Sequence, residues 1–305
     1  MNNALYNSIL KVAYLAKCSK LRRLLNAPIK YCFAVLHRIV IYRLFHKSFK
    51  QVAKCSWGDD LLVNLPAGTD IFLTGGKTDD SEIRLAKFMV KTLTHGDCFI
   101  DVGSHFGYYS LLAKECVKPS GKIISLEASP TTFDFLKKNT SNFDEILCLN
   151  VAGGKEKGSI IFYEFPTLYS EFNTVYPNQF ANTKWFSEKQ YKQQTVLQNS
   201  LDNLIEDYNL TPRMIKIDTE GYELEVIKGL TSFLKTNHSS YIIMEYLAAS
   251  RGNKNHQEAC ALMISLGYDV YIINQEGSLD LCSNIDNMLQ LKNLESDNIV
   301  FCRVG

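Results

Sequence analysis

The sequence predicts an open α/β fold, a mostly parallel β-sheet with helices on both faces. Three observations carry this expectation. From residue 98 onward, short apolar runs alternate with segments of helical spacing, and such alternation implies parallel strands joined by helical crossovers. The stretch "FIDVGSHFGYYS" (99–110) reads as a buried strand ending in an acid, a glycine turn and the opening of a helix. Five strand-like runs end at or near a polar or acidic residue: Asp101, Glu127, Asn150, Asp218 and Glu245. Open α/β sheets bind ligands beyond the carboxyl ends of their strands.

The chain has 305 residues and is 46% hydrophobic, enough for a sizeable core. No internal repeat or low-complexity linker divides it. The formal charge of +1 conceals an asymmetry: the first acid is Asp59, and 11 Lys and Arg precede it, leaving 22 basic against 32 acidic residues in the remainder. Residues 1–57 therefore form a basic, apolar helical arm, and 58–305 the body. A basic arm on an acidic body suits an anionic partner, a membrane surface or a nucleic acid. Lys11 interrupts "LYNSILKVAYLA", and Lys30, His37, Arg38 and Arg43 interrupt "KYCFAVLHRIVIYRLF", so neither run is expected to span a bilayer. No charged leader or cleavage site marks a signal peptide. Apolar and basic residues together favour an interfacial helix; the alternative is a pair of helices packed on the body with solvated cations. The nine cysteines are scattered, without a C-x-x-C pair. That argues against a disulfide framework or zinc site and for a reducing, cytoplasmic setting.

In chain order, "DLLVNLPAGTDIFLTGG" reads as a lead-in hairpin (58–76) turning at Pro66-Ala67-Gly68. A helix follows in "SEIRLAKFMVKTLT", with Ser81 as its N-cap. "DCFIDVG", "GKIISLEAS" and "EILCLNVAGG" are strands, separated by helices in "YYSLLAKEC" and "PTTFDFLKKNTSN", the second with Pro130 in its first turn. The alternation breaks over an insertion, about 158–200, that opens with the strand "GSIIFYEF" and is rich in aromatic residues. It either lines an acceptor site, since sugars lie against aromatic faces, or merely covers the core. Order returns with a helix from Ser200, the strand "RMIKID", one helix in "ELEVIKGLTSFLK", the strand "SYIIMEY", the helix "NHQEACALMISLG" and two closing strands expected to form an antiparallel edge hairpin.

The glycine-poor loop 103–107 lacks the G-x-G-x-x-G and G-x-x-x-x-G-K patterns and is a poor pyrophosphate cradle. Gly103 and Gly107 allow sharp turning and close approach. Glu127, about twenty residues on, suits a ribose diol because a carboxylate accepts from both hydroxyls. A cofactor with a ribose and no phosphate fits, and S-adenosylmethionine is one. A nicotinamide dehydrogenase does not fit the glycine spacing.

"FIDVGSHFGYYSLLA", "ISLEASP", "LNVAGG" and "MIKIDTEGYELEVIKG" together resemble the FkbM family of S-adenosylmethionine-dependent methyltransferases over about residues 80–250. The resemblance is strongest at the I-D-x-E-G-x-E pattern in "IKIDTEGYELEVIKG". It implies a seven-stranded Rossmann-like class I methyltransferase sheet in the body, and O-methyl transfer, typically to sugar hydroxyls. It places Asp101, Gly103 and Gly107 in the cofactor loop and Glu127 on the ribose. The expected cofactor-binding set is Glu82, Asp101, Gly103, Ser104, His105, Gly107, Glu127, Ala128, Asn150, Ala152 and Asp218. Glu82 would meet the cofactor's amino group or simply be solvated. His105 stands where the family usually has Asn.

Asp218, Glu220 and Glu223 occupy a strand-to-helix junction. Acids in a first helical turn are stabilised by the dipole, yet Gly221 among them is costly in a helix and points to a close backbone approach. A hydroxyl is a weak nucleophile, so a nearby base helps. Asp218 is the first candidate and Glu220 the second; Glu223 would fix a neighbour or the helix end, and Lys216 could pair with an acid. His105 is a further base candidate, against a plain role in the loop. No sequence spacing supports a metal bridging Asp218 and Glu245. The leading expectation is a methyltransferase acting on a glycan or glycolipid hydroxyl, with the arm at an anionic membrane. An RNA methyltransferase gripping through the arm, and a membrane-docked scaffold without turnover, are the alternatives. The arm lacks recognisable RNA modules, and the Asp-Pro-Pro-Tyr type tetrad is absent at Asp218, which makes nucleic acid the lesser candidate.

Overall fold

A computed structural model describes residues 2–181, 185–186, 191–237 and 239–303. The arm opens with α1 (Asn3–Lys17), α2 (Lys20–Asn26), α3 (Pro28–Leu36), a π-helical segment (His37–Tyr42) and α4 (Arg43–Phe45). Leu5, Ile9, Val12 and Leu15 of α1 recur at helical spacing and are buried, so this stripe faces the body. The lead-in hairpin is displaced from its expected position. It joins β1 (Phe49–Lys54) to β2 (Asp60–Leu65), pairing Phe49 with Leu65 through to Lys54 with Asp60. The stretch expected as its second strand is instead the helix α5 (Thr69–Thr74). The helix α6 (Asp80–Thr92) has Asp79, not Ser81, at its N-cap position.

The body then alternates through β3 (Cys98–Val102), α7 (Tyr108–Val117), β4 (Lys122–Leu126), α8 (Pro130–Thr140) and β5 (Ile146–Leu149). Ser129 caps α8 by accepting from the Thr132 amide, with Pro130 behind it. The chain leaves the main sheet for β6 (Ala152–Gly153), β7 (Gly158–Glu164) and β8 (Lys192–Asn199), which form a small separate sheet in the order β6-β8-β7. It returns through α9 (Leu201–Asp207), β9 (Pro212–Ile217), α10 (Glu223–Lys228), α11 (Thr231–Thr236), β10 (Tyr241–Leu247) and α12 (Lys254–Ser265). The single helix expected over 223–235 is broken at Gly229, where a Cβ would lie 1.9 Å from the Gly154 carbonyl. The last elements are β11 (Asp269–Ile273), β12 (Leu279–Leu281), α13 (Ile285–Lys292) and β13 (Ser296–Cys302).

Among the described residues the main sheet has eight strands, in the order β12-β11-β13-β10-β9-β3-β4-β5. The five strands from β10 to β5 are parallel. The closing strands do pair antiparallel, but not as an edge hairpin: α13 separates them, β13 inserts between β10 and β11, and β12 takes the edge. All five residues of β3 are buried, as a strand covered on both faces requires. Its alternate side chains feed two cores. Phe99 packs with α1, α6 and α7; Ile100 and Val102 pack with α9, α10 and α12. The chain runs outward from β3 to β5 and then restarts at β9 on the other side. The order therefore reverses between β3 and β9, which opens a crevice at their carboxyl ends.

Gly103, just past β3, has a φ of +80°, and a Cβ there would lie 1.8 Å from the Asp218 carbonyl oxygen past β9. Gly103→Ala is therefore expected to lower the unfolding free energy by about 2 kcal/mol or more in urea titration. Gly158→Ala, with nothing within 4 Å of the added carbon, should change it by less than about 0.5 kcal/mol.

Candidate active site

The crevice is a cavity of about 500 Å³, within the usual range for small-molecule sites. Its floor is the loop after β3, where Gly103, His105 and Gly107 all have positive φ. His105, at φ +49°, occupies a left-handed position that Asn and His tolerate better than most residues. The Gly103 and Ser104 amides donate to the Leu126 carbonyl. The His105 amide donates to Glu127 Oε2 at 2.8 Å and the Ser129 amide to Oε1 at 2.9 Å. Burial pushes the Glu127 carboxyl up to about 7, despite these two backbone donors. Each Glu127 oxygen keeps acceptor capacity beyond its one amide.

Beneath the floor, Asp101 is fully buried. Its Oδ2 accepts from Ser110 Oγ at 2.7 Å, and Oδ1 lies 3.8 Å from Lys216 Nζ. Burial raises its pKa. Lys216 stands opposite Asp101 across the β3–β9 ladder and pairs with Asp218 at 3.0 Å. Burial alone would raise Asp218, but Lys216 and Lys77 outweigh it and hold the carboxyl below its usual value.

The turn 218–222 is shaped by Glu223, which is buried and accepts from the Thr219 amide (2.8 Å), Thr219 Oγ1 (3.0 Å) and the Gly221 amide (3.2 Å). Its second oxygen lies 3.1 Å from His256 Nε2 of α12, a close contact rather than an aligned hydrogen bond. Thr174 Oγ1 and Gln179 Nε2, both from the insertion, donate to the Glu220 carbonyl. Gly221 turns at φ +98°, with Gln179 where a side chain would stand. That accounts for glycine in this acidic run.

Asp218, Glu220 and Glu245 each present an oxygen within 4.8 Å of the others. Burial and then the neighbouring acids raise Glu220 well above the usual carboxylate range. Burial, with Asp218 and Glu223, pushes Glu245 up to about 8. Such a cluster can share a proton, and its donor set could also take a divalent cation. No spacing in the sequence announces the grouping, because its members come from two different strand ends.

The opposite wall is supplied by α6 and the insertion. Lys77 pairs with Glu171 at 3.2 Å and Glu82 at 3.4 Å. Glu82 also accepts from Tyr109 OH at 3.0 Å and Asn298 Nδ2 at 3.1 Å. His105 Nε2 lies 3.2 Å from Ser170 Oγ, and burial pushes the imidazole down to about 4, so it is neutral near pH 7. The insertion lends Ser170, Glu171, Phe172 and Asn173 to the cavity. Its rings also serve one another: Tyr169 and Phe172 stack on Trp185, and Phe165 meets Phe180 and Tyr191 edge-on.

Of the residues expected from sequence, Glu82, Gly103, Ser104, His105, Glu127, Ala128, Ala152, Asp218 and Glu220 line the cavity. Asp101, Gly107 and Asn150 stand behind its wall. Asn150 Nδ2 donates to the Glu127 and Ala128 carbonyls and so fixes the tip of β4. A Cβ at Gly107 would meet Leu136 at 2.8 Å. Sequence reasoning missed Lys77, Glu171 and Tyr109. Only the glycine pair before Lys77 hinted that this segment approaches a site. Nine carboxylates line the cavity against four Lys and Arg.

The Methyltransferase FkbM domain family matches residues 101–270, more than half of the chain. The chain belongs to the FkbM methyltransferase family. The matched region of this FkbM protein is thus a methyltransferase domain, with S-adenosylmethionine as its cofactor. The hexuronic acid methyltransferase AglP of Haloferax volcanii is 24% identical over 161 residues, which span 52% of this chain and 59% of that protein. The methyltransferase FkbM from Methylobacillus flagellatus KT superposes with a TM-score of 0.41 at 12% identity, over 68% of this chain and 43% of its own. Aeropyrum pernix fibrillarin with natively bound S-adenosyl-L-methionine gives 0.37 at 10% identity, over 72% and 73%.

Burial favours neutral forms of Glu223 and His256, but their contact reverses this, holding the carboxyl below its ordinary 4.5 and the imidazole above its ordinary 6.5. Glu223's share of stability is present above about pH 4.5 and is lost as pH falls through its lowered pKa; His256's share is present below about pH 6.5 and is lost as pH rises through its raised pKa. His256→Gln should therefore cost most stability between those two values, and the gap to wild type in urea unfolding should narrow toward alkaline pH. A gap that widens there would contradict the pair.

Proposed function

We propose that this FkbM protein is an S-adenosylmethionine-dependent O-methyltransferase acting on a hydroxyl of a sugar, in a glycan or glycolipid. The observation that carries the reading is the carboxylate group Asp218, Glu220 and Glu245 at the mouth of the switch-point crevice. Family membership, and the distant likeness to a hexuronic acid methyltransferase, support it.

The residues present suit the cofactor. Glu127 retains acceptor capacity for two ribose hydroxyls beside its two amide donors. The excess of carboxylates around the cavity suits a molecule with a sulfonium and an ammonium group. Glu82 and Asp218 offer acceptors to the amino-acid end. When bound, S-adenosylmethionine supplies an electrophilic methyl carbon for in-line displacement.

The chain's own residues then have separable tasks. Glu220, raised by burial and the neighbouring acids, is the stronger base in its ionised form, and in that form it takes the acceptor hydroxyl's proton. Asp218, held ionised by Lys216, is the weaker base and serves as a fixed negative charge. This reverses the order expected from sequence. Ser170, Asn173 and Glu171 offer hydrogen bonds to a polyhydroxyl ring, and Phe172 offers a flat face. His105, neutral and tied to Ser170, holds the loop against the insertion.

Glu220→Gln should lower kcat by about 10²- to 10⁴-fold with KM nearly unchanged. Affinity for S-adenosylhomocysteine, read by calorimetry, should rise as pH increases through about 7, where Glu127 ionises. Glu127→Gln should bind more weakly and lose that step. The acceptor class is tested by incubating the protein with labelled cofactor and extracts of cell-surface glycans and glycolipids. Label confined to RNA or to protein nitrogen would sink the sugar reading.

A further inference from the structure

We propose that the helical arm from Lys20 to Phe49 is a docking surface for an anionic lipid bilayer. Two independent observations meet on this segment. The first is apolar exposure. Among the described residues, thirteen of the twenty exposed large hydrophobic side chains fall within the first 52 positions. They include Leu25 at 72%, Ile29 at 85%, Leu44 at 66% and Phe45 at 67% exposed. Whereas α1 buries four side chains against the body, α2 buries none and α3 only Ala34. Contiguous exposed apolar surface on a soluble face marks an interaction site.

The second observation is positive charge without acidic partners. Lys20, Arg22, Lys30, Arg38, Arg43 and Lys47 are exposed on the same segments. Among the described residues, no Lys or Arg before Lys54 makes a salt bridge. No acid precedes Asp59. Among the described residues no helix is long and apolar enough to cross a membrane; the proposed geometry is that of helices lying in the interface, with cations at the headgroups and apolar groups below them. A nucleic acid would use the cations and leave Ile29 and Phe45 in water. A symmetric second copy would set this cationic surface against itself, and like charges there cost affinity. Of these three occupants, the bilayer uses both properties.

The arm is firmly placed. His37 is buried, with Nε2 2.8 Å from the Lys47 carbonyl. Tyr42 is buried and its hydroxyl accepts from the Leu168 amide at 3.1 Å. Leu168 belongs to the insertion that lends Ser170, Glu171 and Phe172 to the cavity. Docking would thus set the acceptor side of the cavity close to the lipid surface. Lipid binding itself does not depend on the sugar reading and can stand or fall separately.

The test is flotation of the full chain with vesicles of phosphatidylcholine alone or mixed with phosphatidylglycerol. Binding is expected only with the anionic lipid and should weaken at high salt. The variant Ile29→Asp/Leu44→Asp/Phe45→Asp and the variant Arg38→Glu/Arg43→Glu should each lose about tenfold or more in partitioning, while keeping wild-type affinity for S-adenosylhomocysteine as proof of folding. Phe45→Trp should shift its fluorescence to the blue on adding anionic vesicles. Absence of vesicle binding by the wild type overturns the proposal. So does undiminished binding by both folded variants, concentration-dependent dimerisation abolished by the aspartates, or RNA binding that anionic vesicles do not displace.

Discussion

Lys216 is a cation buried between the two central strands, with one carboxylate below it and one above. Asp101 faces it across the β3–β9 ladder, and Asp218 pairs with it at the strand end. Removing a buried ion's partner leaves an uncompensated charge, a far larger penalty than losing a surface pair. Without Lys216, the buried Asp101 would lose its nearest cation and Asp218 its ion-pair partner, at the point where the sheet reverses direction. The rest of the site is arranged around this compensation. The floor loop starts two residues past Asp101, the acidic turn starts at Asp218, and the cation's charge keeps Asp218 ionised in a wall where Glu220 and Glu245 are driven toward their neutral forms.

That arrangement explains what could be read from the chain and what could not. The strand ends were legible because burial on both faces forces continuous apolar runs, and the polar residue ending each run then stands out. Glu127, Asp218 and Glu245 carry this signal, and all three line the crevice. Asp101 and Asn150 carry the same signal and yet stand behind the wall, since a strand end shows where a residue lies along the sheet and not which way its side chain turns. The hairpin was misplaced because β1, with Lys50, Gln51 and Lys54 in a short edge-like run, has too little apolar alternation to separate from a helical arm. The break between α10 and α11 depends on Gly229 meeting Gly154, a contact 75 positions apart in sequence. Lys77 and Glu171 were invisible for the same reason: their partnership joins two loops that lie 94 residues apart.

The arm and the insertion are the two parts that the alternating α/β pattern does not require, and they touch. Leu168 meets Tyr42 at their junction, within the short helical stretch 167–172 that borders the cavity. The insertion's aromatic rings pack chiefly on each other, giving that stretch a small apolar anchor of its own. Specificity can therefore vary in this segment while the sheet, the floor loop and the acidic turn stay as they are.

The near contact of Gly103 with the Asp218 carbonyl also decides which wall of the cavity is free to move. Backbone pressed on backbone joins the floor loop to the acidic turn, so these two surfaces shift together or not at all. The segment 167–173 is held to the floor and to α6 by side-chain contacts, His105 to Ser170 and Lys77 to Glu171, which rotamer changes can break. The floor and the acidic turn thus meet through backbone, while the insertion meets the floor through side chains alone at His105 and Ser170.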